Sequence, residues 1–272
     1  MIPKKSLGQH FLSDPHILGK IVDALAPAAG ETVIEIGPGR GDLTRLLALR
    51  GARVIGIEKD RRLIPGGAGS GKWEEGGVTI VEGDALEIDW HALIASTLPT
   101  SRFPLPGFSV IGNIPYNITS PLLEKALTPP LPSRIVFLVQ KEVADRIAAP
   151  PGSKTYGALS VGIQAACRVE RLFTVKAGAF RPPPKVDSAV IRLTPRAEPV
   201  IPVEQGRAFR KFVVACFGQR RKQLRNVLAA VLGREPGAVA EGLRDLGFDP
   251  TSRPERLGPP DFARLLIWSR QL

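Results

Sequence analysis

The stretch TVIEIGPGRGDLT, residues 32–44, decides the fold. Its opening apolar run, residues 32–36, predicts a buried strand, and the helical spacing of apolar residues from Asp42 to Leu49 predicts a helix directly after it. Gly37, Gly39 and Gly41 lie in the turn between the two elements. Glycine lets a backbone approach a ligand closely, and the start of a helix presents free N–H groups. The stretch therefore predicts a strand, a ligand-binding turn and a helix.

Further apolar runs follow at a spacing that alternates with helix-like segments. They predict buried strands at 53–57, 78–81, 108–111 and 134–139. Asp14 and Pro15 are typical of a helix start, which predicts a helix to about Leu25 before the first strand. A late strand at 186–193 is expected to pair antiparallel with 171–175. This order predicts an α/β fold with a mostly parallel, doubly wound sheet.

The pattern changes after Ala197-Glu198-Pro199, where only helical periodicity remains. We expect helices at 204–217, 219–232, 238–246 and 260–268. The chain is therefore predicted to contain an α/β domain at 1–196 and a small all-helical domain at 197–272. Two segments rich in Gly or Pro, 65–77 and 99–107, are predicted to be surface loops.

The charge balance favours a polyanionic partner. Lys and Arg number 37 against 26 Asp and Glu, a formal net charge of +11. An ordinary solvated basic surface is the alternative, so the location of the charge matters. Basic residues crowd the start of the helical domain, and two more lie near the N-terminus. The candidates for contact with nucleic-acid phosphates are Lys4, Lys5, Arg207, Arg210, Lys211, Arg220, Arg221, Lys222 and Arg225.

Other classes of protein are disfavoured by composition. No stretch of the 272 residues approaches the roughly 18 apolar residues that a membrane span needs. The first residues lack the apolar segment of a secretory signal, and Cys167 and Cys216 are too few for a disulfide framework. His16 and His91 lack metal-ligand spacing. We expect a cytoplasmic protein with no metal site.

Two acids follow strands that neighbour the glycine turn in the predicted sheet. Glu58 comes roughly 20 residues after the glycines, where an acid can bind both ribose hydroxyls of an adenosine cofactor. The alternative is a surface carboxylate paired with Lys59 or Arg61. Asp84 follows the third strand and reaches the same sheet edge. The glycines are spaced G-x-G-x-G instead of G-x-G-x-x-G, which disfavours a NAD-dependent dehydrogenase.

The fourth strand ends in Asn113-Ile114-Pro115-Tyr116, which suggests chemistry on an adenine. An adenine amine is a poor nucleophile because its lone pair is delocalised into the ring. Two acceptors that take its hydrogens would favour a more pyramidal, nucleophilic nitrogen. The Asn113 side-chain carbonyl and the Ile114 main-chain carbonyl can do this, and Tyr116 offers a flat face to an extruded base. A plain turn with a buried tyrosine is the alternative.

These motifs together resemble those of the small-subunit ribosomal RNA adenine dimethyltransferase family. The similarity extends from residue 4 to at least residue 226. Besides the motifs already described, it includes an N-terminal signature, a late loop and strand, and a basic segment predicted to be helical. Those segments are KKSLGQHFL (residues 4–12), FRPPPKVDS (residues 180–188) and FGQRRKQL (residues 217–224).

The resemblance implies a Rossmann-like class I methyltransferase domain that uses S-adenosylmethionine. It implies transfer of two methyl groups to each of two adjacent adenosines of small-subunit rRNA, with the assembling 30S subunit as partner. We expect a monomer. The cofactor contacts that it implies are His10, Leu12, Gly37, Glu58, Asp84 and Asn113. His10 stands where many relatives have Asn, and an imidazole can still form hydrogen bonds.

In this interpretation Asn113, Ile114, Tyr116 and Phe180 serve the transfer itself. Tyr116 and Phe180 are the candidates for gripping the target base, although Phe180 could instead be a core aromatic. Two alternatives stay open. One is the same chemistry on large-subunit rRNA, as in antibiotic-resistance methyltransferases. The other is a non-catalytic ribosome assembly factor or RNA-binding transcription factor with a vestigial cofactor site.

Overall fold

The computed structural model describes residues 8–64, 72–97 and 107–271, and of residues 72–75 it describes the backbone alone. Lys4 and Lys5 lie outside the described residues. So do most of the segments 65–77 and 99–107 that were predicted to be loops.

A mostly parallel sheet is the centre of the first part of the chain. The strands are β2 (Thr32–Ile36), β3 (Arg53–Glu58), β4 (Lys72–Glu75), β5 (Val78–Glu82), β6 (Phe108–Asn113), β7 (Arg134–Gln140), β8 (Cys167–Val175) and β10 (Ser188–Pro195). Their order in the sheet is β4-β5-β3-β2-β6-β7-β10-β8, with β4 antiparallel to β5 and β10 antiparallel to β7. A separate two-stranded ladder joins β1 (Phe11–Leu12) and β9 (Phe180–Arg181). The predicted buried strands, and the late strand beside β8, are confirmed.

The helices follow from start and stop signals in the sequence. In α1, Pro15 occupies the first turn, and the Asp14 carboxylate accepts hydrogen bonds from the backbone N–H groups of His16 and Ile17. The helices of the described residues are α1 (Pro15–Leu25), α2 (Asp42–Leu49), α3 (Trp90–Thr97), α4 (Thr119–Ala126), α5 (Lys141–Ile147), α6 (Ala158–Ala166), α7 (Gly206–Phe217), α8 (Leu224–Leu232), α9 (Pro236–Asp245) and α10 (Pro259–Ser269). None of them is long and apolar enough to cross a bilayer.

The sheet topology determines where a ligand can bind. From β2 the chain proceeds through β3 to β5 on one side, and β6 and β7 then lie on the other side of β2. Strand order therefore reverses between β2 and β6. Ligands of open α/β sheets bind at such a reversal, beyond the carboxyl ends of the strands.

The chain divides into two compact units, residues 1–144 with 169–195 and residues 145–168 with 196–272. A single boundary between residues 196 and 197 thus does not describe the packing of 145–168. Tyr156 and Val161 from this segment are buried in one apolar cluster with Phe209, Val213 and other residues of the helical unit. Ala149 and Ala165 of the same segment belong to this second core as well.

Two predicted elements are corrected. The helix expected at 219–232 begins only at Leu224, and residues 219–223 form a turn, so Arg220, Arg221 and Lys222 are not helical. The glycine-rich segment expected as a loop contains β4, which forms an antiparallel hairpin with β5. Gly76 and Gly77 connect them with φ of 56° and 82°, and a two-glycine turn of that kind favours a hairpin.

Candidate active site

A cavity lies at the carboxyl ends of β2, β3, β5 and β6. It is lined by residues 8–12 before α1, by the glycine turn after β2, and by the segments that follow β3, β5 and β6. Each site residue expected in these segments lines the cavity, namely His10, Leu12, Gly37, Glu58, Asp84, Asn113, Ile114 and Tyr116. This convergence was expected from the strand ends for the residues at the ends of β2, β3, β5 and β6, and from the resemblance alone for His10 and Leu12.

The glycine turn presents its backbone to the cavity. Gly37, Gly39 and Gly41 have backbone φ angles of 67°, 62° and 77°, which residues with a Cβ rarely adopt. A Cβ at Gly39 would also come within 3.2 Å of the Phe11 ring. Glycine is thus required here both for the turn and for the close approach of the N-terminal segment.

Glu58 is held by main-chain donors at the end of β3. Its side chain accepts hydrogen bonds from the backbone N–H groups of Gly39 (3.0 Å) and Asp60 (2.7 Å). Only 5% of the residue is exposed, so a surface carboxylate paired with Lys59 or Arg61 is excluded. Burial raises the pKa of the Glu58 carboxyl, and the two backbone donors partly oppose that shift. Each carboxylate oxygen keeps a second lone pair for a ligand hydroxyl.

Asp84 is paired with Lys59, which the sequence had offered only as a possible partner of Glu58. Lys59 Nζ lies 2.5 Å from Asp84 Oδ2, and the backbone N–H of Leu86 donates to Oδ1. The Lys59 ammonium, through this hydrogen bond, lowers the pKa of the Asp84 carboxyl. Asp84 is therefore an ionised acceptor at the cavity wall.

Asn113 ends β6 with its amide in a defined orientation. Its Nδ2 donates to the main-chain carbonyl of His10 at 2.8 Å. Ile114 follows with a buried side chain, and its N–H donates to the carbonyl of Leu138. Neither Asn113 Oδ1 nor the Ile114 carbonyl accepts a hydrogen bond from any residue that the structure describes. Both oxygens therefore remain able to accept hydrogen bonds from a ligand.

Tyr116 is fixed at two points beside these carbonyls. Its hydroxyl lies 2.8 Å from the hydroxyl of Ser188, and its ring stacks on His10 with centroids 6.1 Å apart and an interplanar angle of 26°. Burial raises the pKa of Tyr116, so the phenol stays neutral. The alternative of a plain buried tyrosine is wrong, because Tyr116 is half-buried and lines the cavity.

Phe180 requires a correction. Only 1% of the residue is exposed, it packs in the main apolar cluster, and it does not line the cavity. Its ring has no free face for a base in this structure. Phe180 acts through the backbone instead, since its pairing with Leu12 in the β1–β9 ladder holds the N-terminal segment in place.

The N-terminal segment also makes contacts that the sequence analysis missed. Gln9 Nε2 donates to Asp60 Oδ2 at 2.9 Å, and Asp60 is itself buried against the guanidinium of Arg62. The Arg40 guanidinium lies 4.6 Å from the Phe11 ring centroid. The available signal was the signature GQHFL, in which Gln9 and Phe11 had no assigned role.

Glu35 is a second missed residue. It lines the cavity and is 1% exposed, and Thr44 Oγ1 donates to its carboxyl at 2.6 Å. Burial raises the pKa of Glu35 to about 7, with the Thr44 hydrogen bond opposing. An acid inside an otherwise apolar strand was the available signal.

The basic candidates of the helical unit differ in exposure. Arg207, Lys211, Arg221 and Lys222 are exposed, and Arg210 and Arg225 are half-buried. Arg220 is engaged within its unit, because its guanidinium donates to the Tyr156 carbonyl at 2.8 Å and lies 3.5 Å from the Glu255 carboxylate. Its present contacts are structural.

The comparisons with known proteins identify the family of this chain. A family model described as "Ribosomal RNA adenine dimethylase" matches residues 3–243. The chain belongs to this family. It is an rRNA adenine dimethyltransferase, and family membership implies a methyl donor.

Relatives of this dimethylase are similar over almost their whole length. "Ribosomal RNA small subunit methyltransferase A" of Xanthomonas oryzae pv. oryzae (strain PXO99A) is 45% identical, covering 96% of this chain and 94% of the relative. The protein of that name from Moorella thermoacetica is 42% identical, with 97% and 92% covered.

Two solved structures are similar to this chain over nearly their whole length. A dimethyladenosine transferase from Plasmodium falciparum superposes with a TM-score of 0.75 at 26% identity, covering 96% of this chain and 98% of that one. The 23S rRNA methyltransferase ErmE gives a TM-score of 0.66 at 27% identity, with 96% and 100% covered. The predicted Rossmann-like methyltransferase fold is confirmed.

Proposed function

We propose that this dimethylase transfers methyl groups from S-adenosylmethionine to the exocyclic amines of two adjacent adenosines near the 3′ end of small-subunit rRNA. The observation that supports this best is the pair of acceptor oxygens, Asn113 Oδ1 and the Ile114 carbonyl, at the end of β6 beside Tyr116. An adenine amine has two hydrogens to donate, and this pair matches them.

The cavity residues fit S-adenosylmethionine. An ionised Asp84 can accept from the cofactor's adenine amine, and Glu58 has lone pairs for both ribose hydroxyls. The glycine turn lets the methionine part pass close to the backbone at Gly37. His10 and Leu12 would close the cavity from the N-terminal side, and Asn113 would face both cofactor and base.

The chain's own groups position and polarise the substrate. When bound, the cofactor supplies a methyl group already activated on a sulfonium, so no nucleophilic side chain is needed. Asn113 Oδ1 and the Ile114 carbonyl would accept the two amine hydrogens and concentrate the lone pair toward the donor. Tyr116 would hold the base by one ring face. The amine becomes acidic as it is methylated, and its proton can leave to solvent.

The RNA would be held mainly through phosphates. The phosphates would be bound mainly by the exposed Arg207, Lys211, Arg221 and Lys222, with smaller contributions from Arg210, Arg225 and Arg220. Lys4 and Lys5 would extend the basic surface. We propose that the protein acts in the cytoplasm, as a monomer, on the assembling 30S subunit.

The small subunit is favoured over the large one by sequence similarity. Identity is 45% to a relative named for the small subunit and 27% to the 23S rRNA enzyme. The structural similarity to the latter keeps the large-subunit reaction as the alternative outcome of the test.

The test is mass spectrometry of adenosines after incubation with S-adenosylmethionine. Unmethylated 30S particles and protein-free 23S rRNA are the two substrates. We expect two dimethyladenosines per 30S particle and none in 23S rRNA. Methylation of 23S rRNA alone would favour the large-subunit reaction. A lack of methylation with tight binding to 30S particles would favour a non-catalytic assembly factor.

A further inference from the structure

We propose that His10 is a positioning residue for methyl transfer. Its main-chain carbonyl sets the amide of Asn113, and its imidazole supports the ring of Tyr116. This inference rests on the proposed function. It differs from the cofactor contact that the resemblance implies for this position, because the contacts concerned are with the two residues that handle the base.

The first contact orients the Asn113 amide. An asparagine amide can rotate about its last torsion, which has broad, roughly two-fold preferences. Donation from Nδ2 to the His10 carbonyl at 2.8 Å selects one of the two orientations. In that orientation the nitrogen is used by the protein and Oδ1 is left for the substrate. The reversed amide would present donors to an amine that is itself a donor.

The second contact supports the Tyr116 ring. The two rings lie at 26° with centroids 6.1 Å apart, while the Tyr116 hydroxyl contacts Ser188. The hydroxyl alone would leave the ring free to rotate about its own axis. A second ring beside it restricts that rotation. His10 provides this aromatic neighbour, whereas Phe180, the aromatic expected beside the base, is buried in the core.

A third contact fixes His10 itself. Its Nδ1 lies 2.8 Å from the carbonyl of Pro182, and because a carbonyl can only accept, Nδ1 carries the proton. Phe11 and Leu12, which follow His10, pair with Arg181 and Phe180, which precede Pro182. The β1–β9 ladder therefore fixes the backbone next to both partners of this hydrogen bond. The segments at 8–12 and 180–188 therefore act together on the residues after β6.

The main-chain carbonyl of His10 stays in every variant, so the substitutions test whether the side-chain bond to Pro182 holds that carbonyl in place and whether the ring supports Tyr116. Three substitutions separate these two roles. His10→Asn keeps a donor for the Pro182 carbonyl and removes the ring. His10→Phe keeps a ring and removes the donor, and His10→Ala removes both. His91→Ala is a matched control, since His91 also bonds a proline carbonyl at 2.8 Å and contacts an aromatic ring, Phe108, but does not line the cavity.

The experiment measures kcat and KM on unmethylated 30S particles, S-adenosylmethionine affinity by calorimetry, and the thermal midpoint of each full-length variant. We expect His10→Ala to lower kcat by about 10-fold or more while cofactor affinity changes by less than about threefold. His10→Asn and His10→Phe should each recover part of kcat, and His91→Ala should match the wild type.

Wild-type kcat in His10→Ala would overturn the proposal. So would a loss of cofactor affinity that accounts for the whole loss of activity, because His10 would then be only a cofactor contact. If His10→Ala fails to fold, wild-type kcat in both His10→Asn and His10→Phe would also contradict it. Absence of methylation by the wild type would instead refute the proposed function.

Discussion

At the scale of single residues, the raised pKa of Glu35 predicts that folding stability depends on pH. Burial raises its pKa from the ordinary 4.5 to about 7. Between these values the unfolded chain loses the proton and the folded protein keeps it, so stability falls as pH rises from 4.5 to 7. At about 1.4 kcal/mol per pKa unit, the cost above pH 7 is on the order of 3 kcal/mol.

Glu35→Gln should remove this dependence, because an amide does not titrate. Its oxygen can still accept the Thr44 hydrogen bond, so the local structure is kept. Denaturant unfolding at pH 5 and pH 8 measures it. The variant's stability relative to wild type should be higher at pH 8 than at pH 5. An equal difference at both pH values would show that the carboxyl has an unshifted pKa.

The residues of the site were predictable to the extent that strand ends determine them. Glu58, Asp84 and Asn113 each lie at or just after the end of a parallel strand, so their convergence was expected from local pattern alone. The Lys59 pairing with Asp84 was not predictable in this way, and for Phe180 the sequence left open whether it is a core aromatic or grips the base. Both depend on contacts between segments distant in sequence.

At the scale of secondary-structure elements, the spacing between β2 and β6 sets the site geometry. A Cβ at Gly112 would lie 2.7 Å from the main-chain oxygen of Ile36 and 2.8 Å from Ile114 Cδ1. Gly112→Ala must therefore push the strand ends apart, directly beside Asn113. We expect a loss of stability of about 1–3 kcal/mol and a larger relative loss of methyl transfer.

Urea unfolding and single-turnover methylation measure the two effects. Gly19→Ala is the control, since an added Cβ there meets no described heavy atom within 4 Å and lies inside α1. That variant should be at least as stable as the wild type. Unchanged methylation in Gly112→Ala would mean that the strand spacing does not govern the site.

Element boundaries were well predicted where the signals are local. The α2 helix and the β2 strand have the bounds that periodicity indicated, whereas the turn at 219–223 was missed. That turn is held by Arg220, which reaches Tyr156 and Glu255, and no local pattern records those contacts. The β4 hairpin did have a local signal in Gly76-Gly77.

At the scale of the whole molecule, a net charge of +11 should make RNA binding depend steeply on salt. Arg221→Ala with Lys222→Ala removes two exposed cations from the turn before α8. The slope of log affinity against log salt should become shallower by about 1 for each phosphate that the double variant no longer neutralises. Arg45→Ala, which removes an exposed cation of α2, is the control.

Filter binding of rRNA across a salt series gives both slopes. A double variant with the wild-type slope would assign the phosphate contacts to other cations.

Charge location could be read from the sequence, but the assignment of residues 145–168 to the second unit could not. That assignment depends on which core buries Tyr156 and Val161.

The acceptor pair at the end of β6 is the central claim, and Asn113→Ala tests it most directly. Single-turnover methylation of 30S particles and calorimetry of S-adenosylmethionine are measured on the same preparation. We predict that the transfer rate falls by about 100-fold or more while cofactor affinity changes by less than about fivefold. Transfer at the wild-type rate by Asn113→Ala would contradict the account.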